Sequence, residues 1–245
     1  MDLRPRVHAR SVAVVLGVAL ALHASPASAE WRLGVEALTD VPVQFGGRVW
    51  VEFPYGVRVD TSLGWLPGPY VDVINAIVVG LEGYDQNTAD LVAGALSSSL
   101  VWRLHAGWRP LPDWGFYFEA GYGLAALGGG LGAEQLITAA TGRAPPHDVP
   151  ADRTYDITSL VHMIDVEVGW QWALFDDRLT LRTAIGFAGT VGASTTIEPQ
   201  FTPLTADGRR GVEQLTEAGE AYLDDVYTSY VFTPVVTAAV GYQFL

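Results

Sequence analysis

His105 and Glu119 come nearest in this sequence to a catalytic arrangement by type and spacing. Both lie in runs in which apolar and polar residues alternate, and a short link at 109–114 separates the two runs. If the runs pair as antiparallel strands across that link, the two side chains share one face of the sheet. A histidine beside a carboxylate can activate a serine hydroxyl for hydrolysis, but the alternation leaves no serine within reach. We therefore predict that the chain is not an enzyme.

The polar face of such runs carries charges of both signs along much of the sequence. Its charged residues are Arg32, Glu36, Arg48, Glu52, Arg58, Asp60, Arg103, His105, Glu119, Asp165, Glu167 and Arg182. Such a set could line a selective channel or a catalytic centre, or it could form an ion-pair network whose charges neutralise each other. We predict the ion-pair network, because side chains fill most of the lumen of a small barrel of about eight strands.

Other catalytic and ligand-binding patterns are missing from the sequence. It has no glycine-rich phosphate loop, no HExxH pair and no EF-hand pattern, and without cysteine it has no thiolate metal site. His162 stands in the apolar phase of its run, with no serine and acid arranged beside it. We expect neither a cofactor nor a bound metal.

Eight runs with a period of two residues supply the elements that position the charges. They cover residues 31–37, 48–53, 57–63, 96–108, 116–124, 164–172, 179–187 and 229–244. This period is that of a β-strand with one apolar and one polar face. An even number of strands is what a single-chain antiparallel barrel in an outer membrane requires.

The composition of the two faces predicts which of them points outwards. A soluble barrel holds its large aliphatic side chains inside and exposes its charges. Here the charged face also carries much of the Gly, Ala, Ser and Thr, whereas the other face carries the Trp, Phe and Leu that lipid tolerates. We predict an all-β fold, an eight-stranded antiparallel up-and-down transmembrane β-barrel. A secreted, lipocalin-like soluble barrel is the alternative.

The lengths of the links between the runs predict the orientation of the barrel. Links 54–56, 109–114 and 173–178 are short, links 65–95, 126–158 and 192–228 are long, and link 39–45 is intermediate. Outer-membrane barrels have short periplasmic turns and longer extracellular loops. We therefore expect both termini in the periplasm.

Aromatic residues cluster at the predicted strand ends, as in the girdles that settle at the headgroup level. On the periplasmic side these are Trp31, Phe53, Trp108, Trp114, Trp172, Phe175, Tyr242 and Phe244, and on the opposite side Trp65, Tyr227 and Tyr230.

The first 29 residues have the pattern of a secretory signal peptide. Three arginines precede an apolar run at 12–22, and Ala27-Ser28-Ala29 supplies a small-x-small cleavage site. The run is shorter than the roughly 20 residues of a spanning helix, so an uncleaved anchor is the weaker alternative. We predict a signal peptide at 1–29 and a barrel domain at 30–245. The net charge of −13 disfavours nucleic acid as a partner.

At this point the sequence resembles the small eight-stranded outer-membrane barrels, such as the OmpA transmembrane domain and OmpX. The closing Gly241-Tyr242-Gln243-Phe244-Leu245 is similar to their C-terminal assembly signal. The resemblance implies a place in the cell envelope of a Gram-negative bacterium, contact with outer-membrane lipid and lipopolysaccharide, and recognition by the barrel-assembly machinery through Tyr242 and Phe244. Pro234 lies within the last run and predicts a bulge or an unpaired position there, because proline cannot donate to the ladder.

Two of the long links contain helical patterns. Val71, Ile74, Ile77, Val78 and Leu81 recur at helical spacing after a proline in the first long link. In the last, Val212, Leu215, Gly219, Tyr222 and Leu223 form one helical face. An acidic stripe of Glu213, Glu217, Glu220 and Asp224 follows another face and is either solvated or the binding site of a cation or a basic partner.

The tight turns between the first three runs permit a prediction of register. A regular first hairpin sets Arg32 against Glu52 and Glu36 against Arg48, and the next sets Glu52 against Arg58. We therefore expect Glu52 to be a hub shared by two arginines. Its replacement by alanine is expected to destabilise the barrel more than Glu36→Ala, which would leave Arg48 alone near a wet outer mouth.

Fold does not assign function, so three roles stay open. The first is a non-enzymatic structural or interaction barrel that acts through acidic extracellular loops, whose partner the sequence leaves unknown. A narrow, porin-like passive channel for small solutes is the second. The third is an outer-membrane lipid-modifying enzyme.

Overall fold

A computed structural model describes residues 31–82, 86–96, 98–141 and 153–244 of the chain. The predicted signal peptide at 1–29 lies outside the described residues. Within the described residues, every helix is too short or too polar to span a membrane.

Eight antiparallel strands close into one barrel in sequence order, with β8 paired to β1. The strands are β1 (Arg32–Val41), β2 (Gln44–Glu52), β3 (Val57–Trp65), β4 (Ser98–Leu111), β5 (Phe116–Gly132), β6 (Thr154–Leu174), β7 (Leu179–Pro199) and β8 (Phe232–Gln243). Each of the eight alternating runs forms one of these strands. The predicted all-β, up-and-down barrel is confirmed.

In the described parts of the three long links the chain forms four α-helices. They are α1 (Gly68–Gly80), α2 (Gln86–Ala95), α3 (Ala133–Thr141) and α4 (Ala206–Tyr230). The helix predicted after Pro69 is α1, which buries Val71 and Val78, although Leu81 lies beyond its end and is exposed. The apolar face predicted for the last link is the face of α4 that packs on the barrel core through Leu215 and Leu223.

The outer surface of the barrel is apolar and its interior is charged. Outward side chains such as Ile164, Trp170 and Val236 are 45–57% exposed, whereas inward charges such as Arg48 and Asp60 are 2% exposed. A barrel in water would bury the first set and expose the second. The orientation of the two faces is therefore the one that the composition predicted.

The register of the first three strands is confirmed. Arg32 lies opposite Glu52 and Glu36 opposite Arg48 on β1 and β2, and Glu52 lies opposite Arg58 on β2 and β3. The link predicted at 39–45 shrinks to a two-residue turn, because β1 continues to Val41 and β2 begins at Gln44.

Strands β5, β6 and β7 are longer than predicted, at 17, 21 and 21 residues, and take in residues 126–132, 154–158 and 192–199 of the predicted links. Alternation continues through these additions, but the apolar residues change face. In β6 the inward residues are Asp165 and Glu167 in one half and Tyr155, Ile157 and Val161 in the other. The inner face is apolar there because the loop helices pack against it.

Candidate functional site

The charged interior is the candidate site, and the structure gathers all twelve predicted residues around it. Eleven of them are buried, and Arg32, at the end nearest the termini, keeps a side chain that is 33% exposed. They come from seven of the eight strands. The interior also holds Asp40, Gln44, Arg109 and Gln171, which are equally buried.

Arg103 on β4 contacts three carboxylates at short range. Its guanidinium lies 2.6 Å from Asp40 and 2.9 Å from both Asp165 and Glu167. These carboxylates come from β1 and β6, so one side chain joins opposite walls of the barrel. Charge-assisted contacts of this length are the stronger kind of hydrogen bond.

Asp60 on β3 is the carboxylate with the most cationic neighbours. Its oxygens lie 3.2 Å from Arg48, 3.8 Å from Arg58, 3.8 Å from Arg182 and 3.1 Å from His105. Its side chain is fully buried. Asp60 is therefore the hub of the network.

His105 lies between two carboxylates. Its Nδ1 is 3.1 Å from Asp60 and its Nε2 is 2.8 Å from Asp165. An ionised carboxylate only accepts hydrogen bonds, so when both carboxylates are ionised both ring nitrogens donate and the ring is an imidazolium.

The protonated ring also balances the charge of the interior. Among the residues that the structure describes, its carboxylates are Glu36, Asp40, Glu52, Asp60, Glu119, Asp165 and Glu167, and its arginines are Arg32, Arg48, Arg58, Arg103, Arg109 and Arg182. Seven negative charges thus meet six guanidinium groups and His105. A neutral set is what a dry, low-dielectric interior tolerates.

The prediction that Glu52 is the hub is wrong. Glu52 lies 2.9 Å from Arg109 and 3.9 Å from Arg32, while Arg58 turns to Glu36 and Glu119 and places its guanidinium 4.4 Å from the centre of the Trp50 ring. Register fixes which backbones are opposite, but in so narrow a lumen a long side chain reaches strands on several sides.

The premise that Glu36 and Arg48 lie near a wet outer mouth is also wrong, whereas the ranking of the two alanine variants stays a prediction. The side chain of Glu36 is fully buried rather than wet, and it lies 3.6 Å from Arg48 and 3.3 Å from Arg58. Arg48 in turn contacts Asp60 and Asp40, so it does not depend on Glu36 alone.

The suspected dyad of His105 and Glu119 is not assembled. His105 contacts Asp60 and Asp165, whereas Glu119 contacts Arg182 and Arg58. His162 is half-buried on the outer surface, where its Nδ1 hydrogen-bonds the hydroxyl of Tyr122.

Among the described residues, one group has ligand atoms close enough together to bind a metal ion. It consists of His105, Asp165 and Glu167, whose ligand atoms lie within 4.8 Å of one another. The Arg103 guanidinium lies 2.9 Å from both of its carboxylates. A guanidinium thus already supplies the positive charge that a divalent ion would bring.

Glycines on neighbouring strands make room for the large interior side chains. His105 lies opposite Gly121, Glu119 opposite Gly107, and Glu36 opposite Gly241. A Cβ atom added to Gly121 would overlap a ring carbon of His105. The glycines of the polar face therefore provide the space into which these large side chains pack.

We expect Gly121→Ala to destabilise the barrel by about 1–3 kcal/mol, because the added methyl group displaces a ring that is held on both sides by carboxylates. Urea-induced unfolding in lipid vesicles measures the change. Gly47→Ala is the control, since its added Cβ meets only one atom, 3.7 Å away. Equal stability of the two variants would contradict this account of His105.

The predicted acidic stripe on α4 is divided by the structure. Glu213 and Glu217 are exposed, whereas Glu220 accepts a hydrogen bond of 2.8 Å from the backbone N–H of Ile197 on β7, and Asp224 is half-buried. Only half of the stripe is therefore free to face solvent. Glu220 fastens the helix to the barrel wall.

An apolar chamber of about 60 Å³ lies beyond the ion pairs, under the loop helices. Its lining includes Val101, Ala125, Met163, Ala188 and Tyr227. Burial raises the pKa of Tyr227 to about 12. This residue was predicted to belong to the outer aromatic girdle, but it is 2% exposed and packs into the barrel core.

Aromatic residues at the end of the barrel nearest the termini are exposed, as the predicted aromatic girdle requires. Trp31, Trp114 and Phe175 are 59–78% exposed there. Tyr242 and Phe244, at the end of β8, are 42% and 56% exposed and pack edge to face.

Comparisons with known proteins give no family. No protein-family model matches the chain, and neither does any curated protein. The chain is an eight-stranded β-barrel with an apolar outer surface. That statement rests on its own strand pairing and burial.

Three solved structures are similar to it at low identity. They are CarO2 of Acinetobacter baumannii (14% identity, TM-score 0.38, covering 87% of this chain and 98% of that chain), CarO of Acinetobacter baumannii (14%, 0.37, 90% and 98%) and a major outer membrane protein from Thermus thermophilus (15%, 0.36, 88% and 100%).

Proposed function

We propose that this chain is a non-enzymatic barrel of a Gram-negative outer membrane with a structural or interaction role. The observation that carries the proposal is the pairing of an apolar exterior with an interior filled by ion pairs. A belt of Ile, Leu, Val, Trp and Phe around the barrel suits lipid, and no strand edge is unpaired in the part of the barrel where each of the eight strands pairs on both sides.

The orientation in the membrane follows from the lengths of the links. The turns at 54–56, 112–115 and 175–178 lie at the end of the termini, and the helices lie at the other end. We assign the first end to the periplasm and the second to the cell exterior. With this orientation, the proposal assigns Tyr242 and Phe244 to recognition by the assembly machinery, and the outward belt to contact with lipid and lipopolysaccharide.

The extracellular end is the part through which a partner would be recognised. Exposed acids there include Asp156, Glu198, Asp207, Glu213 and Glu217. Such a surface attracts basic partners and repels acidic ones. The role proposed for the acidic loops therefore rests on their outer faces, without Glu220.

A passive channel is the second candidate, and the packing of the lumen disfavours it. The guanidinium groups of Arg48, Arg103 and Arg182 lie across the interior with side chains at most 1% exposed. An ion that crosses would have to displace several buried pairs at once.

We expect the wild-type barrel to be recovered in the outer-membrane fraction, to migrate faster on gels before heating than after it, and to give no stable conductance steps in planar bilayers. The physical reason is a closed wall around a filled lumen. Soluble periplasmic monomer would contradict the membrane assignment, and reproducible single-channel steps would favour the channel. Unchanged outer-membrane lipids on thin-layer plates, with and without expression, are expected for a protein that is not an enzyme.

A further inference from the structure

The apolar chamber differs from the rest of the interior in having almost no polar lining. Val101 and Met163 line it, and the next inward residues on the same strands are Arg103 and Asp165. The chamber therefore begins directly where the ion pairs end. A cavity with apolar walls stays dry, since water finds no partners in it.

The barrel wall beside the chamber is incomplete. Pairing of β8 with β7 continues to Phe232, but its pairing with β1 ends at Val236, opposite Val41. The first four residues of β8 thus have a strand on one side only. Pro234, which has no N–H to donate, lies in this stretch. It is opposite Phe187 on β7 and has no partner on β1, in agreement with the predicted unpaired position.

Helix α1 covers this gap in the wall with apolar side chains. The seam between α1 and β8 is lined by Ile74, Ile77, Val78, Val231, Phe232 and Thr233. Three of these residues, Ile74, Val231 and Thr233, also line the chamber. Phe232 is 49% exposed on the outer surface of the barrel. The seam is closed and lies between the apolar exterior and the apolar chamber, so a ligand that uses it must displace some of these side chains.

We propose that the chamber is a binding site for a hydrocarbon ligand, which enters from the outer leaflet through the seam between α1 and β8. The walls select against polar ligands, because a polar group that enters loses its hydrogen bonds with water and gains none. The volume of about 60 Å³ is smaller than that of an engineered cavity of about 150 Å³ that takes up benzene or xenon. It therefore fits xenon or the end of a chain.

Met163 supplies a probe for occupancy, because it lines the chamber and is the only methionine besides Met1. We expect xenon to shift the ¹³C-methyl resonance of Met163 in a saturable way in the folded barrel. Ala125→Leu places bulk in the chamber and should abolish the shift. The matched control is Ala126→Leu, the neighbouring residue on β5, which faces outwards and should leave the shift unchanged.

The protein extracted from cells is used to identify the source of the ligand. Native mass spectrometry of the wild type is expected to show a retained chain-bearing lipid that Ala125→Leu has lost and Ala126→Leu keeps. Xenon uptake without retained lipid would assign the chamber to a small free hydrocarbon instead. No saturable shift in the wild type, or an equal shift in Ala125→Leu, would overturn the site. Xenon uptake needs no membrane, so it separates this proposal from the placement in the outer membrane.

Discussion

Replacing Arg103 with methionine is expected to destabilise the barrel by about 3–5 kcal/mol. Methionine fills similar space but leaves Asp40, Asp165 and Glu167 without the guanidinium that holds all three within 2.9 Å. Among the described residues, Glu167 would keep only a hydroxyl contact of 3.3 Å from Thr237. Removal of one partner from a buried ion pair costs about this much, because the remaining charge stays buried and unpaired.

The same experiment has a charge-balanced rescue. Arg103→Met combined with Glu167→Gln removes one charge of each sign and should recover part of the loss, which a double-mutant cycle in urea-induced unfolding measures. Arg210→Ala is the surface control, since its pair with Asp207 is exposed and should contribute almost nothing. A loss of less than about 1 kcal/mol for Arg103→Met would mean that water enters the lumen and screens the three carboxylates.

Register could be predicted from the sequence, but the choice of ionic partners could not. The period of two and the tight turns fix which backbones lie opposite, and a slip of one residue would turn Arg48 and Glu36 towards the outer surface. Partner choice depends on where the tips of long side chains meet in three dimensions. Arg58 lies opposite Glu52, yet its guanidinium contacts Glu36 and Glu119.

The outer halves of the long strands could not be predicted for a different reason. The prediction assumed that the apolar face of a strand stays the same along its length. In β6 the apolar residues change face at His162: Ile164 and Trp170 face outwards, whereas Tyr155 and Val161 face inwards. The helices that make the inward face apolar are distant in sequence, so the segment looks like an irregular link. Asp40 and Arg109 were missed because each lay in a predicted link rather than a strand.

Asp60→Asn is expected to cost about 3–5 kcal/mol and to exceed the effect of Glu52→Gln. Both substitutions remove one negative charge with little change in shape. Asp60 is fully buried beside Arg48, Arg58, Arg182 and His105, so the substitution leaves four buried cations with one carboxylate fewer.

Glu52 lies at the end of the barrel where water has access, which accounts for the smaller effect. Its partner Arg32 keeps a side chain that is 33% exposed, so water can solvate that charge. Arg109, whose side chain is 6% exposed, is then the one buried cation among the described residues that Glu52→Gln deprives of its carboxylate, against the four cations around Asp60. We expect a loss of about 1.5–3 kcal/mol there, as for the loss of one hydrogen bond to a charged group. Urea-induced unfolding of both variants in the same vesicles gives the comparison. A larger loss for Glu52→Gln than for Asp60→Asn would show that the ion pairs are organised around the end of the barrel rather than around its centre.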